Sequence, residues 1–310
     1  MSLILKKTSS YLPPKVVSNK YYEEYLETSD EWIRERTGIQ ERRFAEGEDT
    51  SSLALKAVEK LSLSEEDLQD IKGICVATCT SDYSMPTIAA MIQKKIGAEE
   101  SVFSMDFNVA CSGFVSGVIL LEKYLELGEK AILVGAEVLS KVLDKEDRST
   151  VVLFGDGAAA ALLEKKEGPL FYDIGTRGDI DKLKCRSINV KDEKCSLEMQ
   201  GKDVFRFAVD ILPKSIYRTL EKFDGKVEDI DHFVCHQANQ RIIDHVRKKM
   251  KIDKDKLFMN LEKYGNTSAA SIPIALDEMN KSGYLKKGQK VIVSGFGAGL
   301  SWATALIEIG

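Results

Sequence analysis

The order of strand and helix signals along this chain occurs twice, and that repetition limits its fold more than any other feature. In the first half the apolar run Ile74-Cys-Val-Ala-Thr leads into a helical pattern. Cys111-Ser-Gly-Phe-Val-Ser-Gly then opens a second helix ending near Gly128, and Ala131-Ile-Leu-Val-Gly follows. In the second half Phe233-Val-Cys-His leads into a helix. Gly265-Asn-Thr-Ser-Ala-Ala-Ser opens another that ends near Gly283, and Val291-Ile-Val-Ser-Gly follows. The chain reads as two similar α/β halves, residues 1–165 and 166–310, alike in pattern rather than in identity.

Short apolar runs bounded by turn residues predict buried strands at 71–78, 101–108, 130–135, 158–163, 233–235, 291–294 and 302–309. Helical patterns fall at 51–61, 86–96, 112–127, 204–223, 241–250 and 268–282. Strands alternating with helices predict a mostly parallel sheet covered on both faces. The charged, weakly periodic stretch 175–200 predicts a lid or surface loop, with Cys185 and Cys195 incidental to function.

At 310 residues, 44% hydrophobic and 30% charged, the chain has apolar material for two cores and a composition unlike that of disordered proteins. A net charge of −5 gives no ground for a nucleic-acid partner, although a local basic patch would still suit an acidic protein. The opening Met1-Ser-Leu-Ile-Leu-Lys-Lys is too short an apolar stretch for a signal peptide, and no run of about 18 apolar residues predicts a membrane span. Six scattered cysteines without a secretory signal fit reduced thiols in a cytoplasm. With three histidines and no second cysteine pair, no metal site is expected.

Three residues stand where chemistry is possible. Cys111, in Asn108-Val-Ala-Cys-Ser-Gly-Phe, lies between a buried strand and a helix rich in small residues. Such a turn holds a side chain at a sheet edge, beside a helix N-terminus that favours negative charge. An ordinary thiol is only about 3% ionised at pH 7, and a dipole worth about 1 kcal/mol lowers its pKa by less than one unit, so a further base or donor is wanted. Taken alone, Cys111 reads equally as a small buried residue at a tight contact. His236 ends a short apolar strand, a position where open α/β sheets bind ligands, but a capping or surface histidine fits too. Asn266 precedes a helix and reads as a site residue or an N-cap. The glycines of Gly295-Phe-Gly-Ala-Gly precede an alternating, strand-like run, so they predict a tight hairpin approaching something closely rather than a dinucleotide loop. Gly155-Asp-Gly-Ala likewise enters a strand and lacks a Walker lysine, so neither motif supports nucleotide binding.

Taken in order, Asn-Val-Ala-Cys111-Ser-Gly-Phe, Phe154-Gly-Asp-Gly-Ala, His236-Gln-Ala-Asn239, Tyr264-Gly-Asn266-Thr-Ser-Ala-Ala-Ser and Gly295-Phe-Gly-Ala-Gly resemble the β-ketoacyl-[acyl-carrier-protein] synthase III family. The likeness runs the length of the chain and includes Ser29-Asp-Glu-Trp-Ile-Arg-Glu-Arg-Thr-Gly-Ile. It implies the thiolase-like fold, two duplicated α/β halves in five layers αβαβα, and a homodimer. Thiolases would carry a second cysteine in the last glycine-rich turn, absent here, and elongating synthases a second histidine where Asn266 stands.

The resemblance also implies a reaction. Cys111 takes the acyl group of a short acyl-CoA, with the N–H groups of Cys111 and Ala298 around the carbonyl oxygen. Malonyl-acyl-carrier protein then loses CO2, with His236 and Asn266 as donors to its enolate, and condenses to 3-oxoacyl-acyl-carrier protein, starting fatty-acid synthesis. No cofactor is implied, because acyl-CoA is a substrate. Trp32 and Arg148 resemble the pair that sandwiches the adenine of CoA, and Thr28, Arg36, Phe205 and Asn239 match positions along its channel. Arg206, Arg241, Lys248 and Lys249 match a basic patch for the carrier protein, or else an ordinary solvated helix face.

Two departures from the family pattern bear on the site. Met85 replaces a common phenylalanine at the acyl pocket, which would admit a longer or branched primer. Ala298 replaces a common glycine, acceptable if its φ is negative. The alternatives are a related condensing enzyme of secondary metabolism and a non-catalytic protein of this fold that binds acyl-CoA.

Overall fold

The computed structural model describes residues 1–186 and 196–310; Cys195 lies outside them. Among the described residues thirteen strands occur in chain order. The first seven are β1 (Leu3–Tyr11), β2 (Lys15–Ser18), β3 (Glu41–Phe44), β4 (Ile71–Ala77), β5 (Phe103–Phe107), β6 (Lys130–Glu137) and β7 (Gly157–Lys165). They are followed by β8 (Phe171–Asp179), β9 (Leu183–Cys185), β10 (Leu197–Met199), β11 (His232–Cys235), β12 (Lys290–Gly297) and β13 (Gly299–Ile309).

The repetition in the sequence is a repetition in space. One run of strands is ordered β5-β4-β6-β7-β1, and the other β11-β12-β13-β8, with an isolated parallel bridge Phe233–Leu257 standing where β5 stands in the first. The sense of each pairing matches. β4 is parallel to β6 as β11 is to β12, and β6–β7 and β7–β1 are antiparallel as are β12–β13 and β13–β8. The expectation of a mostly parallel sheet is therefore corrected. Each sheet is parallel on one side and antiparallel on the other, because β12 turns straight back into β13 at the predicted glycine hairpin and β7 returns beside β6. A short parallel contact, Ile4–Glu308 and Leu5–Ile309, joins the two sheets.

Alternation of side chains along the strands explains the layers. On β4, Cys75 faces one core while Ile74 and Val76 face another; on β6, Leu133 opposes Ile132 and Val134 in the same way. The outer face packs on Leu53, Ala57, Ile88 and Ile92 of helices Thr50–Glu59 and Ile88–Ile96. The inner face packs on Phe114, Val115 and Val118 of helix Gly113–Tyr124 and on Ile272, Ala275 and Met279 of helix Ser271–Lys281. Val293, Ala303 and Ala305 of the second sheet cover the other side of those two helices. Its far face (Phe233, Ile292, Leu306) carries helices Gly201–Phe223 and Gln240–Met250. The result is five layers, αβαβα.

The sequence reading missed β1 and β8. β1 has only three consecutive apolar residues before Lys6, yet its polar groups are all answered. Lys7 pairs with Asp67 at 2.7 Å, Lys6 with Glu164 at 3.2 Å, and Thr8 and Ser10 donate to Asp277 at 3.1 and 2.5 Å. β8 is an edge strand with exposed residues along much of its length, so the start of the supposed loop 175–200 is sheet. β9 and β10 pair with each other further along that stretch. Among the described residues no helix is long and apolar enough to cross a membrane.

Candidate active site

A cavity of about 1000 Å³ opens at the C-terminal ends of β4, β5, β6 and β11, where such sheets bind ligands. Cys111, His236, Asn266 and Ala298 all line it, as do Phe205 and Asn239. The triad thus comes together from three turns, and neither His232 nor His245 lines the cavity.

Cys111 sits in a 3₁₀ turn, Ala110–Ser112, that runs directly into helix Gly113–Tyr124. Ala110 is forced to φ +45°, a left-handed conformation costing about 1–2 kcal/mol, so packing must hold the turn. The packing is backbone on backbone. A Cβ added at Gly297 would stand 2.7 Å from the Cys111 nitrogen, and one at Gly295 would stand 3.2 Å from the Cys111 carbonyl oxygen. The close approach expected of these glycines is therefore to the Cys111 turn. Ala298 is not among the residues with positive φ, which meets the condition set for alanine there. Burial pushes the Cys111 thiol up to about 12, the Ser268 hydroxyl opposing and the Glu137 carboxylate adding to it. The helix terminus does not outweigh desolvation here.

His236 follows β11 and is 1% exposed. Its Nδ1 lies 2.7 Å from Ser271 Oγ, which also accepts from the Gln237 N–H at 3.4 Å. Donation from that hydroxyl to Nδ1 would leave the imidazole proton on Nε2. Burial lowers the His236 pKa to about 3, so the ring is neutral. Phe296 packs edge-on against it, ring centres 5.3 Å apart. Asn266 is held by its backbone, donating to Leu153 O at 2.8 Å and accepting from Gly155 N at 3.0 Å. Its Oδ1 accepts from Ser268 N at 2.8 Å, which fixes the amide with its NH2 as the remaining donor. The Phe154-Gly-Asp-Gly motif is the clamp for this turn: Phe154 bridges Asn266, and Asp156 accepts from Ser140 N, Ser140 Oγ and Ala45 N at 2.9, 2.6 and 2.8 Å.

The remaining predicted residues do not line the cavity, and Asn239 on its wall is bonded to the nearest of them, Arg36. Asn239 caps helix Gln240–Met250 and donates to Arg36 O at 3.0 Å. The Arg36 guanidinium lies 5.9 Å from the Trp32 ring and that of Arg148 4.9 Å, so Trp32 and Arg148 stack on each other. The Thr28 hydroxyl nearby is buried without a partner. Arg206, Arg241, Lys248 and Lys249 are exposed on two adjacent outer helices, Arg241 lying 5.5 Å over the Phe205 ring. Met85 is 82% exposed and does not line the cavity of the single chain, although its neighbour Ser84 does.

The sequence reading passed over Ser268, Ser271, Gln237, Glu137 and Cys79. Each stands within two residues of a strand end or of the Asn266 turn, but small polar residues there look like caps. Cys185, read as incidental, also lines the cavity. No group of three or more metal-ligating side chains occurs among the described residues.

A duplicated five-layer fold with a cysteine at one central helix and histidine and asparagine beside the other defines the thiolase-like condensing enzymes. Two family descriptions match: 3-Oxoacyl-[acyl-carrier-protein (ACP)] synthase III over residues 105–178 and its C-terminal part over 220–309. The chain is 43% identical over 320 residues to Beta-ketoacyl-[acyl-carrier-protein] synthase III of Clostridium novyi, covering 98% of each. The crystal structure of the synthase III of Thermus thermophilus superposes with a TM-score of 0.90 at 39% identity, 99% of both chains being covered. The priming beta-ketosynthase of the R1128 polyketide pathway superposes with a TM-score of 0.90 at 31% identity over 99% of this chain and 96% of that one. The chain belongs to the 3-oxoacyl-[acyl-carrier-protein] synthase III family.

Proposed function

We propose that this enzyme condenses a short acyl-CoA primer with malonyl-acyl-carrier protein, through an acyl group on Cys111, to give 3-oxoacyl-acyl-carrier protein. The observation that carries the reading is the meeting of Cys111, His236 and Asn266 on one cavity. Cys111 Sγ attacks the thioester carbonyl and CoA leaves. The oxyanion is held by the N–H groups of Cys111 and Ala298. Malonyl thioester then loses CO2, and its enolate oxygen accepts from His236 Nε2–H and the Asn266 NH2 while its carbon attacks the acyl-enzyme. Two neutral donors suit an enolate, and no cofactor is needed at any step.

CoA would lie along Asn239, Arg36 and Thr28, with its adenine entering between Trp32 and Arg148 once these part from the 4.9 Å contact they make with each other. The carrier protein would dock on Arg206, Arg241, Lys248 and Lys249. Residues 1–165 and 166–310 serve as the two halves. A homodimer is supported by Tyr83 and Met85, 54% and 82% exposed beside the cavity, whose apolar surface a second copy would cover, completing the acyl pocket. The cytoplasm is the proposed location.

The test is intact mass after incubation with acetyl-CoA, isobutyryl-CoA and hexanoyl-CoA. One acyl group on the wild type and none on Cys111→Ala is expected; no adduct with any donor would overturn the reading. The structural likeness to a polyketide priming synthase supports a second reading, in secondary metabolism. It predicts a preference for a different carrier protein over that of fatty-acid synthesis, read by comparing condensation rates.

A further inference from the structure

The serine that opens the second central helix is bonded differently from those that open the first. Ser112 and Ser116, at the start of helix Gly113–Tyr124, give their hydroxyl hydrogens to backbone carbonyls, Val109 O at 2.8 Å and Ser112 O at 3.0 Å. Ser271, the first residue of helix Ser271–Lys281, is 2% exposed. Among the described residues its Oγ meets two partners and no carbonyl: His236 Nδ1 at 2.7 Å and the Gln237 N–H at 3.4 Å.

The hydrogens around this oxygen can be followed one by one. The Gln237 N–H can only donate. If Nδ1 donated too, the oxygen would accept twice and its own hydrogen would be buried with no acceptor. A hydroxyl that donates to a bare Nδ1 and accepts from Gln237 leaves every hydrogen of the set placed. A buried donor without a partner disfavours the first arrangement by about tenfold or more. The helix adds to the bias, because its N-terminal end carries partial positive charge and favours a lone pair over a hydrogen on the ring nitrogen that faces it. The ring cannot turn away. His236 N donates to Ser294 O at 2.8 Å, and the Phe296 ring packs edge-on against the imidazole. The Gln237 side chain ties the turn down, donating to Cys235 O at 2.7 Å and accepting from Asn260 N at 3.0 Å.

We propose that Ser271 is a positioning residue whose hydroxyl locks His236 with its hydrogen on Nε2, so that the imidazole serves the site as a donor and not as a base. A base would need its bare nitrogen towards the cavity, and the lock turns that nitrogen to Ser271. The catalytic consequence rests on the reaction proposed above. As CO2 leaves, the electron pair of the broken carbon–carbon bond passes into the enolate, whose oxygen finds a hydrogen already in place, and no proton changes hands at His236. Ser271 does not touch the substrate and acts through the ring.

The tautomer is read without any substrate. Protein grown with nitrogen-labelled histidine carries three labelled rings, His232, His236 and His245, and the signals lost in His236→Gln belong to His236. Long-range proton–nitrogen NMR correlations tell a bare ring nitrogen from one that carries hydrogen. The wild type should show Nδ1 bare and Nε2 protonated, unchanged from about pH 5 to 8, because burial lowers the His236 pKa to about 3. Hydrogen on Nδ1 overturns the proposal, and this spectrum decides even if a Ser271 variant does not fold.

Ser271→Ala removes the hydroxyl and keeps a good helix former at the helix start. Its spectrum should show the hydrogen distributed over both nitrogens. Its kcat for malonyl decarboxylation should fall about tenfold, the bias that is lost, with KM unchanged and acylation of Cys111 within about twofold. In a His236→Ala background the same change should cost nothing further. A further loss there marks a merely structural serine and overturns the proposal, as does a Ser271→Ala protein that keeps both the Nε2 tautomer and the wild-type rate. A wild type with the expected tautomer that decarboxylates no malonyl thioester sustains the lock and removes the reaction assigned above.

Discussion

At the scale of single residues, the site is a set of neutral groups made to behave unusually by burial. His236 has a folded pKa of about 3 against an ordinary 6.5, so folding disfavours its protonation. The stability this represents is complete above about pH 6.5 and is lost as pH falls towards 3, at up to about 1.4 kcal/mol per pH unit. Thermal melts of the wild type should therefore fall more steeply below about pH 6 than those of His236→Gln, and parallel curves would refute the assignment. Replacing either donor, His236→Ala or Asn266→Ala, should cut malonyl decarboxylation by about 10²–10³, or 3–4 kcal/mol. Acylation of Cys111 by acetyl-CoA should stay within a few-fold in both variants, which quenched-flow mass spectrometry would read.

At the scale of elements, the turns matter more than the helices and strands they join. Gly297→Ala places a methyl 2.7 Å from the Cys111 nitrogen, against backbone that has nowhere to move. It should slow acylation at least about tenfold and cost about 1–3 kcal/mol of stability, by intact-mass time course and melting curve. Strands β4, β5, β6, β7, β11, β12 and β13 and the helices Thr50–Glu59, Ile88–Ile96, Gly113–Tyr124, Gly201–Phe223, Gln240–Met250 and Ser271–Lys281 were legible in the sequence, because each is apolar enough for its period to show. β1 and β8 were not, since half of what holds them is polar: Thr8 and Ser10 against Asp277, Arg218 and Trp302 against Asp173. A period count sees only apolar side chains. The same blindness hid Ser271, whose significance lies in who stands next to it. Cys111, His236 and Asn266 were legible as a set only through their motifs; taken singly, each had an equally good structural reading.

At the scale of the whole molecule, the two halves share one middle layer, and neither sheet can be covered on its inner face without it. Phe114, 1% exposed within that layer, should cost about 3–5 kcal/mol on truncation to alanine, with one cooperative melt rather than two. The basic face of helix Gln240–Met250 belongs to the same scale. Lys248→Glu with Lys249→Glu should weaken the carrier protein's effect, raising its KM several-fold at low salt and less at high salt, while the acyl-CoA half-reaction is untouched. The seam where Gly113, Gly135, Ala269, Gly295 and Gly297 meet has no spare volume on any side. Substitution there is closed off, so a change in what the cavity admits would have to come through its apolar walls, among them Leu139, Val142, Leu183 and Leu197. Those side chains can be exchanged one at a time while the reacting atoms stay where they are, which makes this a scaffold able to diversify its diet without relearning its chemistry.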